Sequence, residues 1–91
     1  MHCLVALLLA LQSATVIDVQ SNHDVTLGLQ MGDVIYTAEF SRHALKPESF
    51  IEGDHVAAEV REGKMRVKRK DGKTVSGRLI WEQRVLVHPH P

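Results

Sequence analysis

Lys64, Arg66 and Lys68 alternate along KMRVK, and Arg78 follows beyond a turn in KTVSGRL. Successive strand side chains point to opposite faces, so cations at every second residue form one row. Such a row can hold an acidic surface or a protein partner by charge, but it supplies no nucleophile. Residues 64 to 79 carry seven of the eleven Lys and Arg residues of the 91-residue chain. Lys64, Arg66, Lys68 and Arg78 are therefore the candidate ligand-binding residues. The plainer role for a charged strand face is solubility and protection of an edge against pairing. A purely structural domain without a ligand is accordingly the second reading.

Other chemistry is thinly represented. Ser41, Arg42 and His43 bring a hydroxyl and an imidazole together, but with no turn or helix start built to stabilise an oxyanion they read as a polar loop. No catalytic residue is assigned, and an enzyme is not expected. Six histidines are many for this length, yet none forms a pair at metal-ligand spacing on a regular element; neither a metal nor a cofactor is expected. The glycines stand singly, with no phosphate-cradling loop. Single-stranded nucleic acid needs aromatic platforms beside the cations. Tyr36, Phe40 and Trp81 fall on the inward alternation and Phe50 in a loop, so nucleic acid is the weaker alternative partner. The net charge of zero points the same way, although residues 15–62 sum to −6 and residues 63–91 to +6.

Period-two patterning places these residues on strands. TVIDVQS carries Ile17 and Val19 on one face, and Val25, Leu27 and Leu29 alternate after a polar turn at residues 22–24. Taking Met31-Gly32 as a hairpin tip sets Leu29 against Val34 and Leu27 against Tyr36. After the third strand, RHALKPESFIEG is irregular; Pro47 can start one helical turn, and Leu45, Phe50 and Ile51 can plug an end of the fold. Beyond Gly53-Asp54, Val56, Ala58 and Val60 alternate inward. A tip at Glu62-Gly63 opposes Val60 to Met65, Ala58 to Val67 and Glu59 to Arg66. A three-residue loop at Lys70-Asp71-Gly72, with Gly72 left-handed, opposes Val67 to Val75 and Met65 to Gly77. Lys64, Arg66, Lys68, Thr74, Ser76 and Arg78 then share the solvent side, while Leu79 and Trp81 continue inward. About six short strands joined by tight turns predict an all-β antiparallel meander curled into a small OB- or SH3-like barrel. Mixed α+β is the alternative, and only the Pro47 segment offers it a helix.

Residues 3–11, CLVALLLAL, have the length of a signal-peptide apolar core and are too short to span a bilayer, which takes about 20 residues. The expected organisation is a leader over 1–14, a barrel over 15–82 and a His/Pro tail over 83–91. Export to the periplasm or the outside follows, with no transmembrane segment in the mature chain. The single cysteine, Cys3, allows no internal disulfide. With TVIDVQS, VIYTAEFSR after MGD, FIEGDHVAAEV and GKMRVKRKDGKTVSGRLI in order, residues 15–80 resemble small exported bacterial β-barrel proteins of no assigned role. The resemblance implies export and a barrel; it implies no activity and no site residues.

Overall fold

The computed structural model describes residues 11–85. The expected leader as far as residue 10, and residues 86–91 of the expected tail with His88 and His90, lie outside the described residues. Six strands, β1 (Gln12–Ser21), β2 (Val25–Met31), β3 (Val34–Phe40), β4 (His55–Arg61), β5 (Lys64–Lys68) and β6 (Thr74–Arg84), close into an antiparallel barrel. The order around it is β1-β2-β3-β6-β5-β4. Each half is a three-stranded meander, but the halves join through β3 with β6 and β1 with β4. One continuous meander would instead have paired β3 with β4.

The expected alternation builds the core. Val25, Leu27, Leu29, Ala38, Ala58, Met65 and Val67 are completely buried. The β4–β5 pairing is as expected, with Val60 opposite Met65 and Ala58 opposite Val67. So is β5–β6, with Val67 opposite Val75 and Met65 opposite Gly77. The β2–β3 hairpin turns one residue later than expected, at Gly32-Asp33, so Leu29 meets Tyr36 and Leu27 meets Ala38. Positive φ at Gly32 alone of this pair matches a type II′ turn, which wants glycine first. Each partner moves by two residues, and side-chain parity is kept.

Two bulges change the phase. In β1 the register shifts between Val16 and Asp18, so Ala14 and Val16 are buried, the bulged Ile17 is only partly covered, and Val19 resumes the inward face. The expected Ile17–Val19 face is thereby replaced by Ala14, Val16 and Val19. In β6 the shift lies opposite Thr37 and Ala38: Leu79 meets Ala38, Ile80 is the extra residue, and Trp81 meets Thr37. Thr37 faces outward because Ala38 faces in. Trp81 is consequently 61% exposed, contrary to the inward placement expected from unbroken alternation.

β1 starts at Gln12, three residues ahead of the expected strand start. Gln12, Ser13, Ala14 and Thr15 are the whole pairing with β4. The connection from β3 to β4 crosses one end of the barrel. Its single 3₁₀ turn, Pro47–Ser49, begins where Pro47 was expected to start one. Leu45 and Phe50 plug that end, but Ile51 does not: it is 65% exposed. The Asp54 carboxylate accepts its N–H at 3.0 Å and holds it in a turn that faces solvent.

Gly77 permits a close approach in the barrel wall. A Cβ at Gly77 would stand 2.7 Å from the Glu39 carbonyl oxygen and from two carbons of the Phe40 ring. Phe40, buried and among the largest core side chains, therefore occupies the space a side chain at 77 would need. Gly77→Ala is expected to cost about 2 kcal/mol, through displaced backbone and ring. Gly72→Val should cost about 1–2 kcal/mol for a different reason: φ is +91° there with open space around it. Urea unfolding measures both, and a Gly77→Ala protein as stable as its parent would refute the close packing. The exposed indole makes a second prediction. Trp81 is the only tryptophan, so native fluorescence should already have the emission maximum of a hydrated indole and shift little in denaturant. A large red shift on unfolding would place Trp81 inside and remove the β6 bulge.

Candidate functional site: a cationic hairpin

Lys64, Arg66, Lys68 and Arg78 all lie exposed on the outer face of the β5–β6 hairpin, alternating with buried Met65, Val67 and Gly77. The turn between them is the three-residue type. The Arg69 N–H donates to the Lys73 carbonyl at 2.7 Å, and the Gly72 N–H donates to the Arg69 carbonyl at 2.9 Å. The Asp71 carboxylate accepts the Lys73 N–H at 3.1 Å and the Arg69 guanidinium. The hydrogen bond from Arg69, then that from the Lys73 backbone, holds the Asp71 carboxyl below its ordinary pKa, so it stays ionised under mild acid.

Arginines and lysines divide the work. Arg66 and Arg61 both reach Glu59, at 3.5 and 3.9 Å, and Glu59 is buried beneath them. Arg78 donates to Glu39 at 2.7 Å; that bond and the charge behind it raise the Arg78 pKa further. Arg84 at the end of β6 pairs with Asp33 in the β2–β3 turn at 2.8 Å. Arg69 joins Asp71 and also donates to the Ala44 carbonyl at 3.1 Å, clipping the hairpin turn to the plug. Arg42 grips the β1–β2 turn through the Asn22 carbonyl and the Ser21 hydroxyl. Every arginine is thus bound to its own protein. None of the five lysines, Lys46, Lys64, Lys68, Lys70 and Lys73, has a carboxylate within 4.0 Å among the described residues. Planar, multidentate guanidinium suits internal bracing, whereas a lysine ammonium is a hydrated point charge on a flexible stem.

The four expected residues therefore separate. Arg66 and Arg78 are already paired, and Lys64 and Lys68 are free. Four residues of extended strand put the last two about 13 Å apart. Lys64 sits opposite Arg78 and Arg61. Lys68 sits at the plugged end near Lys70, which the period-two rule left out because it belongs to the turn. Lys46 also reaches that end and was missed, since nothing in the sequence brings the β3–β4 connection to the hairpin. Two cavities of about 270 and 310 Å³ open there, the first lined by His43, Lys46 and Lys70 among others, the second by His55, Lys68 and Lys70.

β5 is hydrogen-bonded to β4 on one side and β6 on the other. Its lysines guard no open edge, which removes edge protection as the reason for them. The one exposed aromatic, Trp81, stands beyond Arg78, so the expectation that no aromatic accompanies the cations fails at that end of the row. The cations nearest it along β6, Arg78 and Arg84, are neutralised by Glu39 and Asp33, and its immediate charged neighbour is Glu82. At the Ser41-Arg42-His43 loop, the Ser41 hydroxyl accepts the His43 backbone N–H at 3.1 Å, and Arg42 is committed to the β1–β2 turn. No protein-family model, curated protein or solved structure matches the chain.

Proposed function

We propose that this protein is an exported, non-enzymatic barrel module that binds an acidic surface through the lysines of its β5–β6 hairpin. The observation that carries this reading is the division of cations described above. Arginines hold Glu59, Asp71, Glu39 and Asp33, while Lys64 and Lys68, on a strand with no edge to protect, and Lys70 in the adjoining turn have no carboxylate within 4.0 Å among the described residues. Uncompensated, solvated ammonium groups attract polyanions over a Debye length of about 8–10 Å at moderate ionic strength. Retention on immobilised heparin should therefore fall as salt is raised. The double variant Lys64→Glu/Lys68→Glu should elute at clearly lower salt; it disturbs no internal ion pair, unlike reversal at Arg66. Salt-independent passage of the parent protein, or unchanged elution of the variant, would leave the hairpin as a solvated surface and favour the ligand-free structural reading.

Export through the apolar run at residues 3–11 belongs to the same proposal, with one refinement from the barrel. Removal of residues through Ala14 would take three of the four β1 residues that pair with β4 and expose the β4 edge. Cleavage ahead of Gln12 keeps the seam. Mass spectrometry of the mature protein should find an N-terminus at or before Gln12; a mature chain starting at Thr15 would contradict this placement.

A further inference from the structure

We infer that the acidic ligand is a linear acidic polysaccharide seated across the plugged end of the barrel, over the ridge formed by Arg69 and Lys70. The inference rests on the proposed anion binding by the hairpin, and it moves the seat away from the outer row and onto a second element, the β3–β4 connection. The two cavities at this end share Phe50, Arg69 and Lys70, so Arg69 and Lys70 form the ridge between them. Lys46 borders one cavity and Lys68 the other.

The carboxylates of both cavities are engaged. Asp71 is bound by Arg69 and the Lys73 N–H, and Asp54 accepts the Ile51 N–H at 3.0 Å. Arg69 is likewise spent, between Asp71 and the Ala44 carbonyl. What remains is a ridge clipped to the plug, with Lys46, Lys68 and Lys70 free around it. By contrast, a further cavity, lined by Gln12, Met31, Tyr36, Glu59 and Val60, presents a carboxylate and no cation.

Shape and chemistry select the ligand. Recesses on both flanks of a ridge suit a flexible chain whose sulfates or carboxylates recur along its length, one entering on each side. A flat bilayer would touch only the crest. Single-stranded nucleic acid is held by broad aromatic platforms beside the cations; Phe50, the one Phe, Tyr or Trp lining these cavities, is buried as part of the plug, and the exposed rings there are the smaller imidazoles of His43 and His55.

Heparin serves as the probe, with the full-length protein and its single variants Lys46→Ala, Lys70→Ala and Lys64→Ala. All three lysines are exposed, and circular dichroism checks the folded state. Lys46→Ala and Lys70→Ala are each expected to weaken heparin binding several-fold and to reduce the slope of log affinity against log salt by about 1, and each should weaken it more than Lys64→Ala does. If Lys64→Ala weakens binding while Lys46→Ala does not, the ligand runs along the outer row: this inference falls and the hairpin function stands. If the parent protein shows no salt-sensitive heparin binding, both fall. Equal or tighter binding to single-stranded DNA, or to phosphatidylserine vesicles, at matched salt would overturn the choice of a polysaccharide.

Discussion

One continuous apolar phase must run around six strands, and the rest of the structure depends on keeping it. In a closed barrel every strand has two neighbours, so an alternation that fits one partner must also fit the other. Turn chemistry achieves this in three of the four hairpins: residues with positive φ at Gly32, Glu62, Gly63 and Gly72 match the right-handed twist of the flanking strands. Two bulges adjust the phase further, one in the β1–β2 pair and one at the β3–β6 seam. One at Ile17 accommodates β1 between β2 and β4. The other at Ile80 lets the long β6 stay paired with β3 beyond the end of β5, and as a consequence turns Trp81 to water. Gly77 completes the fit, because the wall closes on the Phe40 ring only where no side chain intervenes.

The electrostatics follow from that geometry. Closing β3 against β6 brings Glu39 to Arg78 and Asp33 to Arg84, and the β4–β5 hairpin brings Glu59 to Arg66. The two exposed pairs, Glu39–Arg78 and Asp33–Arg84, contribute at most about 1 kcal/mol each; the larger effect of all three is on the surface potential, since they neutralise the arginines and leave the lysines as the free positive charge. The formal neutrality of the chain hides this, because the acidic residues of its first part are partly used up in internal pairs. Net charge alone therefore understates the positive charge that the hairpin presents to a polyanion.

Local signals made much of the fold legible. The Glu62-Gly63 tip and the Asp71-Gly72 loop set two hairpin registers through short-range turn geometry, and with them the outward placement of Lys64, Arg66, Lys68 and Arg78. The Met31-Gly32 tip was displaced by one position, because Gly32 can serve as either central residue of a two-residue turn and parity is the same in both. Trp81 was misplaced because a bulge carries no composition signal: Leu79-Ile80-Trp81 is apolar throughout, and either phase satisfies the pattern. Ile51 was likewise taken as a plug on hydrophobicity alone, whereas the Asp54 carboxylate holds its turn outward.

The sequence by itself determined the strand content, the glycine turns and the cationic face of one hairpin, because alternation and turn chemistry act over two to five residues. Only the tertiary structure decided that β6 lies against β3 and β1 against β4, that every arginine is bound to its own protein, and that Lys46 joins the hairpin lysines at the plugged end. Those outcomes depend on which strands become neighbours across long separations in the chain. Barrel closure selects them through the packing of all six inner faces at once, a condition that no local window of residues contains.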